Sequence, residues 1–496
     1  MPEATVVGAP PAARRGSVAA GLAVATAGAA ALRFLWLGRQ SFWIDETVTW
    51  ELLHRSLPAL VLHGIPNHES TPPLYYALAW GWVRLFGWSE TALRSFSASV
   101  GTATVPVVFL AGRTLAGAWA GLAAAGLAAA SPFLIWYSQE SRAYALFALL
   151  AALSLWLFAR VRESGFAGRT LWAWSGVCVL ALTAHYFAVF LVAAEALLLS
   201  FSVPRRQLAA ALVPPGVTCL LLAPLAYAQR GQAAGLAAGT NLRTRLAETA
   251  SWDTTGDLRS TAAWVVVAVV VLLAVILLLE RRPSACRNGL AVLSLAALAF
   301  ALPVALALTG HDFVFFRNFI GVWIALLLVL AIGLTGRRLR RLAFFALMML
   351  IGVFLAADAS VWAHPNQQRD NYRGVVAAMR ASPGTIVVVY PAWDAAPLEH
   401  YDHELQPVAA PNPLTVHQID FVGVSSDFGA WLPPAQLHLL VPHQLRPTRS
   451  IAYQHFLLHH YSSLRQLRIT ARRLEALATP RTRRPHIPPL GVLIQR

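Results

Sequence analysis

The chain has 496 residues, 57% of them hydrophobic and 12% charged, with a net charge of +16 at pH 7. Many separate apolar runs at so low a charge density exclude a soluble multidomain protein and leave a polytopic membrane protein. The positive charge does not mark a nucleic-acid partner: there is no lysine, and the arginines fall in short clusters between apolar runs, which is a topology signal. Cys178 and Cys219 lie inside apolar runs and Cys286 in a basic loop, so they make neither a metal quartet nor a disulfide framework.

In chain order, Arg14 and Arg15 precede an apolar run over 17–37, long enough at 1.5 Å per residue to cross a bilayer core. Its amino end is expected in the cytoplasm, and Arg33-Phe-Leu-Trp36 reads as its interfacial end. A mixed loop over 38–91 follows. Residues 46–62 are amphipathic, 66–73 form a turn-rich break, and 74–86 is an aromatic helix lying in or dipping into the outer interface. Further spans are drawn at 92–110, 116–136, 143–158, 171–187, 188–203, 208–228, 262–279, 290–308, 320–334 and 342–361, about eleven in all.

The arginines test this layout. Alternate gaps hold Arg113; Arg160, Arg162 and Arg169; Arg205 and Arg206; Arg281, Arg282 and Arg287; and Arg337, Arg338, Arg340 and Arg341. These are the cytoplasmic gaps by the positive-inside rule. The opposite gaps carry Glu140 and Arg142, His185-Tyr186, a Gly-rich loop over 229–260, and His311 to Asn318. The expected fold is therefore an all-α polytopic membrane domain over 1–361 with a small extracytoplasmic α/β domain over 362–496. In that tail, helices are expected at 372–380 and from 397, and strands at 384–390, 437–441 and 489–494. No Gly-x-Gly-x-x-Gly follows its strands. His400, His403, His459 and His460 have generic spacing and read as surface or packed side chains.

The stretch Ser41-Phe-Trp-Ile-Asp45-Glu46-Thr47 stands out as the reactive end. Two adjacent carboxylates sit beside aromatic residues where the chain leaves the bilayer, so they can act at the boundary without burial at its centre. The alternative is an acidic helix start, with Asp45 as the cap and Glu46 in the first turn.

Five stretches in this order, Trp43-Ile-Asp45-Glu46-Thr47, Thr71-Pro-Pro-Leu-Tyr75-Tyr76, Gly87-x-Ser-Glu90-x-Ala-x-Arg94, Tyr137-Ser-Gln-Glu140-Ser-Arg142-Ala-Tyr144 and Phe316-Arg317-Asn-Phe319, resemble the GT-C-fold glycosyltransferases. The nearest group is the family 39-like bacterial relatives of protein O-mannosyltransferases and aminoarabinose transferases. The resemblance covers about 17–334. It implies a polyprenyl-phosphate sugar donor, inversion at the anomeric carbon and chemistry on the outer leaflet of the plasma membrane, with a lipid, glycan or protein acceptor. By that resemblance Asp45 is the general base and Glu46 orients the acceptor or the base. Arg142 and Arg317 are the candidates to stabilise the leaving phosphate, against ordinary interfacial snorkelling. Glu140 matches a second acidic residue of some relatives, against a local ion pair with Arg142. Tyr75, Tyr76 and Tyr144 are expected at the substrate groove, the first two by stacking on sugar or isoprenoid, against a plain aromatic belt. Relatives often place a histidine directly before the Pro-Pro pair; here His68-Glu69-Ser70-Thr71 intervene. No metal ligands are assigned, and a divalent metal is left open as a cofactor. The alternative class is a transporter or lipid flippase, which keeps ionisable residues within its spans; here Glu195 is the charge that the spans are read to hold.

Overall fold

The computed structural model describes residues 12–163, 168–237, 241–254, 261–336, 339–379, 382–408, 414–424, 437–439, 444–469, 478–480 and 491–495. A first helix, α1 (Ala12–Phe34), leads into the mixed loop, which folds as α2 (Ile44–Leu53), the short pieces α3 (Leu57–Ala59) and α4 (Ile65–His68), and the aromatic helix α5 (Leu74–Phe86). There follow α6 (Glu90–Ala116), α7 (Ala118–Ala130), α8 (Pro132–Ser138), α9 (Tyr144–Glu163), α10 (Gly168–Ala184), α11 (Ala188–Leu199), α12 (Arg205–Ala237), α13 (Leu242–Thr254), α14 (Thr261–Leu279), α15 (Pro283–Leu308), α16 (Ile320–Leu334) and α17 (Arg340–Ala363).

Among the described residues eight helices are long and apolar enough to cross a membrane, or nine if the bent pair α7 and α8 is one span. Every predicted span has a helix; the two left over, α10 and α11, have 17 and 12 residues because the chain breaks between them at His185 to Phe187. The Gly-rich stretch predicted as a loop over 229–260 is largely helical in α12 and α13, while 238–240 and 255–260 lie outside the described residues, as do Arg337 and Arg338.

α16 is the axis of the bundle: 89% of the Phe316–Leu334 span is buried, against 11% of Gly16–Phe34. Small residues let the helices approach it. At Gly333 a Cβ would fall 2.2 Å from the Ala274 carbonyl oxygen of α14, so no larger residue fits that crossing. Ionisable groups inside the spans are more numerous than the sequence reading counted. Glu195 of α11 accepts from Ser154 of α9 at 2.9 Å and from Trp174 of α10 at 2.7 Å, tying three helices together, and Asp358 of α17 is buried as well.

The bend between α7 and α8, 58°, is what presents the Glu140 loop. Pro132 opens α8 and has no N–H to continue α7, and Ser131 takes the extended conformation expected before proline and caps α8 through its side chain. The α7 carbonyls freed at the break are taken by Arg33, whose Nη1 and Nη2 donate to Ala129 at 3.1 Å and Ala128 at 3.0 Å. Arg33 is fully buried; it is not the interfacial end expected of it. Gln139 closes α1 in turn, donating Nε2 to the carbonyls of Leu32, Arg33 and Leu35 at 3.0–3.3 Å.

The carboxyl-terminal region holds α18 (Tyr372–Met379), β1 (Ile386–Tyr390), α19 (Ala395–Tyr401), β2 (Leu405–Pro407), β3 (Leu414–Val424), β4 (Leu437–Leu439), β5 (Arg446–Tyr453), β6 (Phe456–Ile469), β7 (Ala478–Pro480) and β8 (Gly491–Gln495). One six-stranded sheet runs β2-β8-β1-β3-β6-β5. Only β1 and β3 are parallel within it. β1 is wholly buried, as its Ile-Val-Val-Val-Tyr run requires; α18 and α19 pack on the face bearing Val387 and Val389. The sheet seats on the loop after α1: Ser41 Oγ donates to the Asp370 carbonyl at 2.8 Å, the Tyr372 N–H donates to Ser41 Oγ at 3.1 Å, and the Phe42 N–H donates to Tyr401 Oη at 2.6 Å. The small domain and the Asp45 loop therefore share one end of the bundle. The opposite end gathers Arg281, which donates to the Thr335 carbonyl at 2.7 Å, and Asn288, which donates to the Leu115 carbonyl at 2.9 Å.

Candidate active site

Asp45 and Glu46 are neighbours in α2 with opposite environments. The helix begins at Ile44 with Trp43 as its N-cap residue, so Asp45 lies in the first turn and does not cap it. The Asp45 side chain is 25% exposed, and its Oδ2 meets Arg317 Nη1 at 3.1 Å and Arg142 Nε at 3.9 Å. Glu46 is fully buried. Arg94 of α6 donates Nε to Glu46 Oε1 at 2.8 Å and pairs Nη2 with Oε2, and its other N–H groups reach the carbonyls of Leu37, Gln40 and Ser41 at 2.7–3.0 Å. The five guanidinium donors are all used. Ser141 N–H adds a 2.9 Å bond to Glu46 Oε1. Burial pushes the Glu46 carboxyl up, but Arg94, together with the Arg369 charge and the Ser141 N–H, more than offsets it and holds the group below its ordinary range. Glu46 is a clasp joining α2, α6 and the Glu140 loop, and the role expected of it, orienting the acceptor or the base, would act through the helix it shares with Asp45.

Arg142 pairs with Glu69 rather than with Glu140. Its Nη1 meets Glu69 Oε1 at 2.5 Å, the Asp45 carbonyl at 3.3 Å and Thr49 Oγ1 at 3.2 Å, which fixes the backbone under Asp45. Glu140 is buried and its Oε2 lies 3.3 Å from Arg369 Nη2, while its Oε1 has no partner among the described residues. Arg369 comes from the segment between α17 and α18 and lies 4.2 Å over the Trp136 ring.

A cavity of about 350 Å³ opens beside this cluster. Its wall is mostly apolar, from the α10–α11 break, α12, the end of α15 and residues 313–318, and it includes Tyr144 and Arg317. The Arg317 guanidinium carbon is 5.4 Å from the Tyr144 ring and 4.9 Å from the Phe315 ring. One guanidinium thus belongs to the cavity wall and to the Asp45 ion pair. Such a site fits a long apolar ligand with an anionic end.

Residues 70–228 match the family model for dolichyl-phosphate-mannose-protein mannosyltransferase. A comparison with curated protein sequences gives no match. Among solved structures, ArnT from Cupriavidus metallidurans in the apo state aligns over 90% of this chain and 98% of its own, at 12% identity and a TM-score of 0.52. The same protein bound to undecaprenyl phosphate aligns over 90% and 98% at 11% identity and a TM-score of 0.51. The chain has the GT-C glycosyltransferase fold.

In this GT-C fold, Asp45, Arg142, Tyr144 and Arg317 come together, whereas Tyr75 and Tyr76 do not line the cavity. Both tyrosines are fully buried, Tyr75 Oη 3.2 Å from Ser97 Oγ and Tyr76 Oη 3.0 Å from Thr71 Oγ1, so the stacking expected of them has no free ring face. Sequence reasoning gave no role to Arg94, Glu69 or Arg369. The available signal was charge balance: an arginine one turn into an apolar span must find a buried acid, and Arg94 finds Glu46. No group of three or more His, Cys, Asp or Glu side chains that could hold a metal ion occurs among the described residues.

Burial pushes the Glu140 carboxyl up from 4.5 to about 7, with Arg369 opposing. A carboxyl raised in the folded state holds its proton more tightly when folded, so its contribution is fully present below about 4.5 and is lost as pH rises through about 7. Glu140→Gln, which mimics the protonated form, should flatten the fall in thermal midpoint between pH 5 and pH 8. An unchanged pH slope would place the titrating group elsewhere.

Proposed function

We propose that the protein is an integral membrane glycosyltransferase that moves a sugar from a polyprenyl-phosphate donor to an acceptor hydroxyl, with inversion and with Asp45 as general base. The observation that carries this is Arg317, which lines an apolar cavity and contacts Asp45 at 3.1 Å. The polyprenyl chain lies in the cavity and its phosphate meets Arg317. The acceptor oxygen attacks the anomeric carbon, the bond from that carbon to the phosphate oxygen breaks with its electron pair going to the phosphate, and the hydroxyl proton passes to Asp45. Arg317 compensates the charge that grows on the leaving phosphate. Because the phosphate draws on the same guanidinium, it loosens the hold on Asp45 as the carboxylate is needed. Arg142, tied to Glu69 and to the Asp45 carbonyl, keeps the base in place.

The reaction side is the extracytoplasmic face of the plasma membrane, and the acceptor is a lipid, glycan or protein hydroxyl. The arginine-rich gaps support this orientation, with the amino terminus in the cytoplasm and the small domain outside. The test is stereochemical. With a defined polyprenyl-phosphate sugar, the product should have the opposite anomeric configuration to the donor, read by NMR coupling constants. Retention would require two displacements and would overturn the single-base reading.

A further inference from the structure

A second cavity, of about 410 Å³, lies at the seam between the Asp45 loop and the small domain. Trp50, Trp88, Glu90, Arg373, His400 and His403 belong to its wall. A row of rings runs along this seam. His54 stacks on Trp88 with centroids 3.9 Å apart and planes at 29°, its centroid is 4.0 Å from that of Trp50, and Trp50 meets His400 edge-on at 4.6 Å. His54 Nδ1 donates to the Trp50 carbonyl at 2.8 Å, which fixes the row on α2. Trp80, Trp82, Trp174 and Trp323 spend their indole N–H groups on other parts of the protein. Those of Trp50 and Trp88 have no such partner among the described residues and are not closed off from solvent. Both side chains are half-buried, so each keeps surface in the groove that it lines. In the same wall Glu90 Oε1 accepts from Tyr401 Oη–H and Oε2 pairs with Arg373, whose side chain is 48% exposed. A carboxylate has about four acceptor positions and a guanidinium five donors, so both keep capacity for a ligand.

We propose that this groove binds a neutral saccharide. A sugar ring lays its C–H face on aromatic surface and turns hydroxyls, each both donor and acceptor, toward polar groups. A free anion would meet the Glu90 carboxylate. An apolar chain would strip water from the Glu90–Arg373 pair without replacing its hydrogen bonds. Asp45 and Trp50 are five residues apart on α2, which sets their side chains about 140° apart around the helix. The groove and the Arg317 ion pair therefore lie on different sides of α2, and the occupant of the groove is not the hydroxyl that reacts. Its assignment as acceptor rests on the glycosyltransferase reading: the groove holds units of a glycan acceptor remote from the one that receives the sugar, which selects a glycan among the acceptor classes.

The test is direct binding of neutral hexose and pentose oligosaccharides, uronic-acid oligosaccharides and an unglycosylated peptide to the purified full-length protein, comparing wild type, Trp88→Ala, Trp88→Phe, Trp50→Ala and Asp45→Asn. Wild type and Asp45→Asn should bind neutral oligosaccharides alike. Trp88→Ala and Trp50→Ala should weaken that binding about 10-fold or more, with Trp88→Phe, which keeps a ring and loses the N–H, in between. In transfer assays Trp88→Ala should raise the KM for a glycan acceptor and leave kcat unchanged. Thermal midpoints show that each variant is folded, and if Trp88→Ala is not, Trp88→Phe and Trp50→Ala decide. Binding of neutral oligosaccharides that is equal in wild type and in the tryptophan variants would place the sugar elsewhere and overturn the proposal. So would no binding by a wild-type protein that transfers sugar, or tighter Trp88-dependent binding of the uronic-acid set or the peptide. If the tryptophan variants lose binding but wild type moves no sugar from a polyprenyl-phosphate donor, the groove stands and the glycosyltransferase reading fails.

Discussion

Asp45→Asn is expected to lower sugar transfer by about 10²–10⁴-fold, the usual contribution of a positioned general base, and to leave folding and lipid-phosphate binding nearly intact. The substitution keeps the size of the side chain and removes only its basicity and charge. Asp45 is partly exposed, and the Asn side chain keeps an oxygen that can still accept from Arg317, which also lines the cavity. Single-turnover transfer and polyprenyl-phosphate binding, measured on the same preparation, separate the two effects. Near-wild-type turnover in Asp45→Asn would place the base elsewhere at this end of the bundle.

One residue along, Glu46→Ala should fail in the opposite way. It leaves the buried Arg94 guanidinium without its counter-charge, and breaking one side of a buried ion pair costs about 3–5 kcal/mol. The expected result is a large drop in thermal midpoint and in the yield of monodisperse protein in detergent. Arg94→Met combined with Glu46→Ala should recover part of that stability, because no unpaired charge is left behind. A Glu46→Ala protein that melts like wild type but is inactive would return Glu46 to the chemistry.

The contrast shows what could be read from residues alone. The spans were legible because lipid-facing helices must be long and apolar, and because the arginines alternate from gap to gap. The Asp-Glu pair was legible as a site, yet its division of labour was not: adjacent residues on a helix point about 100° apart, and which one meets Arg94 depends on a helix 48 positions away in sequence. Arg33 misled for a related reason. An arginine at the end of an apolar run ordinarily snorkels to the interface, and only the break at Pro132, about a hundred residues on, supplies the free carbonyls that bury it. Tyr75 and Tyr76 looked like groove residues because aromatic pairs near a boundary commonly are; the packing of Tyr75 on Phe96 and Ser97 of α6, and of Tyr76 on Thr71, was invisible without the fold. In the small domain, β1 and the two helices were expected, but β3, β5 and β6 were not, since His417, Gln418, Arg449 and Ser450 interrupt the apolar pattern and pairing between neighbouring strands had to supply what the local sequence does not.

The account stands most directly on the identity of the donor. Purified wild-type protein, given a polyprenyl-phosphate sugar and an envelope extract as acceptor source, is predicted to release polyprenyl phosphate in step with sugar transfer, and to transfer nothing from the matching nucleotide sugar when lipid phosphate is absent. Transfer from the nucleotide sugar without any lipid intermediate, or sugar transfer without release of polyprenyl phosphate, would contradict it.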